Sequence, residues 1–589
     1  MMLVRILLPP LRRLTRVNLR AGGPLLGAVL LRCLTPGRAP RRAWPITELL
    51  ARSEEAVAVY RILVALERPR PGHLDGLARS LVLHARVPFA THRFEEALAA
   101  VDESLSSVPG SRASGTQTAY ALFLRAGSLA EMGRLDEALA AARESVETYR
   151  SAGTRRRDRT LGSLIMALLL RARVLGRLSR TAESVAAYLE CLELLRARNP
   201  WQRLFRLQMV KAYVLLEVTG GLRALGRYDE ALRTGVEARV YVVGLWARRK
   251  PEMMPERAQH LTDLAWCYGA TGDLRQACDT AAEAVAVARA LAERDPADGE
   301  PRLALALECR AHYLGALDAP AEEQLARSEL ADLCARLAVT HPDIYGPQLA
   351  EALGELAELH WRAGAHQESV EAWGRSVDAY RRVAECQPGV FEPELARTLA
   401  SLGIKQLGHG MPEAAVVSGT EALAITRRLA ESDWDAYQPL LAKCLQPLAR
   451  ALYRTGDEAG ALACYEEAET LLRELLGDGD PAPYEATLAD TLTDLAYMLS
   501  TTAEARLNEG RADDAVTALR SLLALARRTK HTNIHAICVS AFTRARAQDP
   551  GAVGHSWQRV TSDPFPSFVY RVLYAAAGKI RHVSVRMGR

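Results

Sequence analysis

The stretch QPGVFEPELARTLASLG, residues 387–403, contains two prolines on either side of an aromatic residue, followed by a run of small and apolar residues. Similar stretches begin at His341 and at Ser432. Around them, prolines and leucines recur at a constant spacing of 46 residues: Pro301, Pro347, Pro393 and Pro439, and Leu261, Leu307, Leu353, Leu399 and Leu445. Self-similarity at a fixed period is typical of repeat proteins, in which each unit packs only against its neighbours. The spacing therefore predicts a repeat architecture.

One repeat unit, residues 393–438, has the pattern of two helices joined by a turn. Pro393 suits the first position of a helix, since its missing N–H would have no partner there. Apolar and small residues follow at helical spacing, until the sequence between Gly408 and Pro412 interrupts them. A second periodic run continues to Asp433. The unit is therefore predicted to be a helical hairpin that ends in a loop over residues 433–438.

The break between the two helices recurs as a glycine followed five residues later by alanine or serine. It begins at Gly133, Gly226, Gly272, Gly364, Gly456 and Gly510. Glycine permits a tight turn, and the small residue lets the paired helices approach each other. The unit near residues 302–338 differs, because Asp318 replaces the glycine and Glu323 replaces the small residue. We expect altered packing in that unit.

The pattern resembles the tetratricopeptide repeat, whose large and small positions match Leu215, Thr219, Leu222, Gly226, Ala231 and Ala238. The usual unit of about 34 residues is lengthened here to 46, and to 41 between Ala56, Ala97 and Ala138. The resemblance covers about residues 48–530 and implies an all-α fold, a right-handed superhelical solenoid of about ten antiparallel helix pairs. Such long units are similar to those of high-GC Gram-positive bacteria, where they often follow nucleotide-binding or peptidase domains of signalling and defence proteins.

Charge is distributed unevenly along the chain. Residues 1–47 carry nine arginines and no acidic residue, while the net charge of the whole chain is only +5. The body of the chain is therefore acidic, and we expect no nucleic-acid partner, since such partners require a basic folded face. We predict a basic, disordered leader over residues 1–45, a solenoid over 46–560, and a capping helix with a basic tail over 561–589.

Alternatives exist for both ends of the chain. The apolar run from Pro24 to Leu31 follows basic residues as in a signal peptide, but Arg32 interrupts it and no cleavage pattern follows, which favours a disordered leader. Near the C-terminus, Ser567 can begin a short helix that covers the last repeat. The alternative is a helix at a membrane surface, because both ends of the chain are basic.

Sequence patterns of catalysis are missing from the chain. We find no phosphate-binding loop, no HExxH helix and no GxSxG elbow. His531, His535 and Cys538 share one helical face and could begin a zinc site, but a fourth ligand is not nearby, and ordinary burial explains them better. Ten cysteines without a CxxC pair are typical of the reducing cytosol. We therefore predict a cytoplasmic, non-catalytic protein with neither cofactor nor metal.

The first helices of stacked pairs line a concave surface that such proteins use for binding. Inward positions of these helices carry aromatic, apolar and arginine side chains, which are common in protein-binding hot spots. The predicted partner-binding groove consists of Tyr120, Phe123, Met166, Leu169, Arg173, Tyr213, Leu216, Arg223, Trp361 and Arg450. As an alternative, Tyr120 and Tyr213 are core residues that pack between neighbouring repeats.

These features favour a scaffold or adaptor that binds a protein or peptide in its groove. Two other functions stay open. One is a regulatory sensor of a signalling peptide, as a stand-alone relative of the tetratricopeptide sensor modules of bacterial signalling and defence proteins. The other is an enzyme of unknown type that uses the groove. Basic runs such as TRRRDR at Thr154 are predicted to be solvated loops between repeats.

Overall fold

The computed structural model describes residues 46–66, 71–107, 115–152, 157–196, 205–241, 254–478, 482–529 and 531–561, together with Leu26, Ala28, Leu30 and Pro566. Within these residues lie 23 helices and no strand, which confirms the all-α prediction. The helices are α1 Ile46–Val64, α2 Pro71–Ala90, α3 Phe94–Ser106, α4 Gly115–Glu131, α5 Leu135–Ala152, α6 Arg157–Arg177, α7 Thr181–Arg196, α8 Phe205–Ala224, α9 Tyr228–Tyr241, α10 Met254–Ala270, α11 Leu274–Ala292, α12 Pro296–Ala316, α13 Pro320–Leu337, α14 Pro342–Arg362, α15 His366–Cys386, α16 Pro388–Gly408, α17 Pro412–Ser432, α18 Trp434–Thr455, α19 Glu458–Asp478, α20 Ala482–Asn508, α21 Ala512–Arg528, α22 Thr532–Gln548 and α23 Pro550–Thr561.

The chain divides into two compact units, Met1–Leu317 and Asp318–Arg589. In the first unit, the helices from α2 to α11 form five consecutive hairpins, with α1 before them and α12 after them. In the second unit, the helices from α14 to α21 form four hairpins, with α13 before them and α22 and α23 after them. The predicted stacking of antiparallel helix pairs is thus confirmed within each unit.

The residues that recur every 46 positions in the sequence are buried in each repeat. The five leucines that define it, Leu261, Leu307, Leu353, Leu399 and Leu445, are at most 2% exposed. The small residues four positions later, Ala265, Ala311, Ala357, Gly403 and Ala449, are also buried. Each leucine fills the core of its hairpin, and each small residue allows close packing of helices, as in other densely packed protein interiors.

Left-handed backbone conformations occur at the turn of every hairpin. All six glycines that the sequence analysis placed at turns have φ between 71° and 91°, as has Gly410. His92, Ser179 and Asp318 occupy the equivalent positions with φ between 54° and 58°. Non-glycine residues adopt this region rarely, although aspartate and histidine do so more readily than most. The turn at Asp318 therefore keeps the geometry that glycine provides elsewhere.

An ion pair replaces the small residue in the unit that departs from the pattern. Glu323 is 5% exposed and Arg327 is 7% exposed, and the Arg327 Nε lies 3.0 Å from a carboxylate oxygen of Glu323. Arg327 forms a second ion pair with Glu355 of α14. The predicted change of packing is thus found, and paired charges occupy the space between the helices.

The first helix of each repeat starts earlier than the sequence analysis predicted. Helix α16 begins at Pro388 instead of Pro393, and α12 and α14 begin in the same way at Pro296 and Pro342. The prediction was wrong because both prolines of each pair fit a helix start. The second proline lies in the second turn, where its ring removes one hydrogen bond of the helix.

The predicted loop over residues 433–438 is also helical. Helix α18 begins at Trp434, and the carboxylate of Asp433 accepts a hydrogen bond from the Ala436 N–H at 3.1 Å. Aspartate is among the best residues for capping a helix N-terminus. Only one residue therefore separates α17 from α18, which makes the junction between these repeats tighter than the sequence suggested.

Arginine–glutamate ion pairs connect the second helices of successive hairpins within each unit. Arg150 of α5 lies 2.5 Å from Glu190 of α7, and Arg381 of α15 lies 2.9 Å from Glu421 of α17. Further pairs of this kind are Arg143–Glu183, Arg196–Glu237, Arg239–Glu283 and Arg427–Glu467. Their side chains are largely exposed, so each pair contributes only about 0–1 kcal/mol.

The predictions for the two ends of the chain fall largely outside the described residues. Of the predicted leader, Leu26 and Leu30 are buried in a cluster with α1 and α2. Disorder of the remaining leader and the capping helix after Thr561 stay predictions. Among the described helices, none is both long enough and apolar enough to span a bilayer.

Candidate functional site

A cavity of about 390 Å³ lies in the first compact unit, between α7, α8 and α10. The end of α6 and one residue of α12 complete its wall. Its size falls within the range of small-ligand pockets, about 300–1,000 Å³. The aromatic and ionisable residues that line it are Tyr188, Tyr213, Glu217, Glu256, His260, Asp263 and Arg302.

Two adjacent glycines of α8 shape this cavity. A Cβ atom at Gly221 would lie 2.4 Å from Cγ2 of Val185 on α7, so glycine permits the close contact of these helices. A Cβ atom at Gly220 would lie 3.2 Å from Oδ2 of Asp263 on α10. Because Gly220 has no side chain, the carboxylate of Asp263 can pack closely against the backbone of α8.

We expect Gly221→Ala to lower the free energy of unfolding of the first unit by about 1–3 kcal/mol, because the added methyl group would overlap the buried Val185 side chain. Gly162→Ala is the matched control, since a Cβ atom at Gly162 of α6 would meet no other atom within 4 Å. Alanine there should be neutral or stabilise by up to about 1 kcal/mol. Chemical unfolding followed by circular dichroism measures both variants. Equal stability of the two variants would contradict the close packing of α7 and α8.

Asp263 is a buried carboxylate in which one oxygen accepts hydrogen bonds and the other accepts none. Its Oδ1 accepts hydrogen bonds from Arg223 Nε at 2.8 Å and from Gln259 Nε2 at 3.3 Å. Its Oδ2 accepts no hydrogen bond from any residue that the structure describes. Desolvation raises the pKa of Asp263, although the Arg223 charge and these hydrogen bonds oppose the shift. Asp263 thus presents a poorly solvated acceptor to the cavity.

Glu217 lies on α8 beside two tyrosines. Its side chain reaches solvent, and it forms no ion pair with the described part of the chain. Desolvation by the surrounding helices nevertheless raises the pKa of Glu217, and the Asp263 carboxylate adds to this shift. Burial raises the pKa of both Tyr188 and Tyr213, and the negative charge of Glu217 raises each further. The two tyrosine rings meet edge to face, with centroids 6.4 Å apart.

His260 is a buried, neutral imidazole at the same cavity. It is 2% exposed, and neither ring nitrogen has a hydrogen-bond partner of normal geometry among the described residues. Burial lowers the pKa of His260 to about 4, and the backbone of Gly235 opposes this shift. An unpartnered polar group in a protein interior lowers stability. Packing alone therefore does not account for a histidine at this position.

Two further polar residues of the wall are already engaged. Ser184 Oγ donates a hydrogen bond to the Ala172 carbonyl oxygen at 2.8 Å, so it is not poised as a nucleophile. Arg302 forms an ion pair with Asp298 at 3.0 Å. The cavity therefore combines three carboxylates and an imidazole with aromatic walls, an arrangement suited to binding a polar ligand.

Three of the predicted groove residues lie at this cavity, since Tyr213 and Leu216 line it and Arg223 binds Asp263. Tyr120 and Phe123 lie elsewhere, on α4. Their rings stack with centroids 6.0 Å apart, and both are half-buried against the core of the first unit.

The other predicted groove residues are dispersed. On α6, Met166 is exposed, Leu169 is 8% exposed and packs in the core, and Arg173 lies 3.8 Å from Glu131. In the second unit, Trp361 packs against the His366 ring with centroids 4.3 Å apart, and the ammonium group of Lys405 lies 4.9 Å from the Trp361 ring. Arg450 forms an ion pair with Asp494 at 2.5 Å.

Sequence reasoning missed Tyr188, Glu217, His260 and Asp263. Tyr188 belongs to a second helix, and the inward positions were taken from first helices only. His260 and Asp263 interrupt an otherwise apolar helical face, and this interruption was the signal available in the sequence. In the zinc candidate, Cys538 is buried whereas His531 and His535 are exposed, and no group of three potential metal ligands exists among the described residues.

No protein-family model matches the chain, and a search of curated proteins finds no match. Solved structures with a similar fold include the apo form of RapI, which is 12% identical, with 66% of this chain and 98% of RapI covered at a TM-score of 0.41. A STAND protein with a tetratricopeptide repeat sensor from Pyrococcus horikoshii is 12% identical, with 77% and 68% covered and a TM-score of 0.40. A repeat-containing protein from Cytophaga hutchinsonii is 12% identical, with 51% and 98% covered and a TM-score of 0.34. The chain is thus similar to tetratricopeptide-repeat structures, and the similarity concerns the fold alone.

Proposed function

We propose that this chain is a non-catalytic scaffold of the long tetratricopeptide-repeat type, which binds a protein or peptide partner at the cavity between α7, α8 and α10. The observation that carries the proposal is the pair of carboxylates at this cavity. Glu217 forms no direct ion pair within the described chain, although the Arg173 charge acts on it, and one oxygen of the buried Asp263 carboxylate accepts no hydrogen bond there. A buried carboxylate without full hydrogen bonding is costly to a fold, and such groups are typical of functional sites.

Binding fits the cavity better than catalysis does. The hydroxyl group of Ser184 donates to the backbone, and His260 has no hydrogen bond to a hydroxyl or thiol that could act as a nucleophile. Cys267, the nearest cysteine along α10, is buried, and desolvation raises the pKa of its thiol to about 11. A thiol with this pKa is almost entirely protonated at neutral pH and is a poor nucleophile.

Capture of a partner tests the proposal. The immobilised full-length chain is exposed to native cytosolic extract, retained proteins or peptides are identified by mass spectrometry, and the dissociation constant of the purified partner is then measured. A partner retained by the wild-type chain and lost on substitution of cavity residues supports the proposal. Absence of any partner whose affinity depends on the cavity would contradict it.

We expect Tyr213→Ala, which removes an aromatic ring that lines the cavity, to weaken partner binding by about tenfold or more, since aromatic side chains dominate the energies of many interfaces. The control is Arg156→Ala with Arg157→Ala, in the basic run that the sequence predicts to be solvated. It should change the affinity by less than about threefold, because exposed charges contribute little. Titration of the purified partner gives both values. Equal losses would place the site in the loops between repeats. Loss of helicity in Tyr213→Ala would mean that this residue is core, and Glu217→Gln then becomes the decisive variant.

A further inference from the structure

We propose that the cavity between α7, α8 and α10 receives a cationic side chain of the partner, held between Glu217 and the open oxygen of Asp263. This inference rests on the proposed function, because it names the chemistry of the partner at the same site. The charges that line the cavity, its aromatic walls and the Asp263 oxygen that accepts no hydrogen bond favour such a ligand.

The charges of the wall leave an excess of negative charge. Arg223 pairs with Asp263, and Asp298 pairs with Arg302, so each of these charges is compensated. The two remaining carboxylates, Glu217 and Glu256, form no ion pair with any described residue. A cationic ligand would compensate charge that the described chain leaves unmatched, whereas an anionic ligand would add to the repulsion.

The two carboxylates at the cavity already influence each other. Desolvation raises the pKa of Glu217 and the charge of Asp263 adds to this shift, whereas the Tyr213 hydroxyl and the charge of Arg173 oppose it. Carboxylates that share a site bind a cation more strongly than a single carboxylate does, since the ligand relieves their mutual repulsion. The same coupling makes a second anionic group at this site unfavourable.

The space and the aromatic walls suit a side chain. Asp263 Oδ2 accepts no hydrogen bond from a described residue, and the cavity of about 390 Å³ that Asp263 lines can hold the long side chain of arginine or lysine. Tyr188 and Tyr213 line the same wall, and aromatic rings attract cationic groups. A guanidinium group could donate to both carboxylates at once, as planar donors do in bidentate ion pairs.

The test uses N-acetyl-L-argininamide as the probe and N-acetyl-L-citrullinamide as its neutral isostere. Saturation-transfer NMR with the full-length chain gives both dissociation constants. We expect argininamide to bind about tenfold or more tightly than citrullinamide, because hydrogen bonds between two charged groups are stronger than those from a neutral donor. Equal binding of the two probes, or no measurable binding of argininamide, would overturn the inference.

Variants of the chain locate the probe. Glu217→Gln should weaken argininamide binding by about tenfold, and Gly220→Ala should also weaken it, because the added methyl group would crowd Asp263 Oδ2. Glu193→Gln is the matched control, since Glu193 is an exposed residue of α7 that does not line the cavity. Its affinity should equal that of the wild-type chain. If Glu217→Gln and Glu193→Gln bind argininamide alike, the cation does not lie between these carboxylates.

Failure of this inference can be distinguished from failure of the proposed function. If Tyr213→Ala weakens binding of a captured partner but argininamide does not bind, the proposed function stands. The inference that the partner contributes a cationic side chain is then wrong. If no partner depends on the cavity, the proposed function fails whatever the probe does.

Discussion

Arg327→Met is expected to destabilise the second unit by about 3–5 kcal/mol, because it leaves the buried carboxylate of Glu323 without its partner. The loss should be local to α13 and α14, which the ion pairs of Arg327 with Glu323 and Glu355 connect. Hydrogen–deuterium exchange measures such local opening. Amide protection in these helices should fall by about a hundredfold or more, since 1.36 kcal/mol corresponds to a factor of ten.

The double variant Glu323→Ala with Arg327→Met is the control for this prediction. It removes both buried charges and restores the small residue that other repeats carry at the position of Glu323. Replacing a buried ion pair by apolar residues is often neutral or stabilising. The double variant should therefore be more stable than Arg327→Met alone. Protection in Arg327→Met close to that of the wild-type chain would mean that Glu323 reaches water, contrary to its burial.

Acidification is expected to destabilise the first unit through His260 by on the order of 3 kcal/mol. Burial lowers the pKa of His260 in the folded state to about 4, from its usual value of 6.5. Between these pH values the unfolded chain takes up a proton that the folded chain does not, so stability falls as the pH decreases. The contribution is fully present above pH 6.5 and is lost progressively toward pH 4.

His260→Leu isolates this contribution from the other groups that titrate nearby. The charges that affect the pKa of His260 are Arg239 and Glu283, which form an ion pair at 2.9 Å. The pKa of Asp263 is raised, so its contribution to stability increases as the pH falls, opposite to that of His260. The difference in unfolding free energy between wild type and His260→Leu should therefore change with pH, in favour of the variant as the pH falls. At pH 7 the variant should be at least as stable, since both imidazole nitrogens lack partners. A difference that is independent of pH would show that His260 titrates normally.

The repeat could be predicted from the sequence because its cause is local and periodic. Leucines at intervals of 46 residues are buried, and glycines at the turns adopt left-handed conformations, so each pattern has one physical reason that recurs in every unit. The first residue of each helix was harder to predict than the repeat itself. Pro388 and Pro393 both fit an N-terminus, and only the backbone geometry distinguishes them.

The candidate site was only partly predictable, because it depends on contacts between repeats. Tyr213, Leu216 and Arg223 were found from their positions on a first helix, and all three lie at the cavity. Tyr188 comes from the second helix of the preceding hairpin, and the pairing of Arg223 with Asp263 joins residues 40 positions apart. No periodic pattern within one repeat indicates such a pair.

Hydrogen–deuterium exchange of the full-length chain with and without its captured partner tests the central claim most directly, because it shows where the partner binds. Partner binding at the cavity predicts increased protection in α7, α8 and α10, and a smaller increase in the Glu217→Gln variant at the same partner concentration. The Glu193→Gln variant should match the wild-type chain. Protection confined to the second unit or to the segments between hairpins, with α7, α8 and α10 unchanged, would contradict the account.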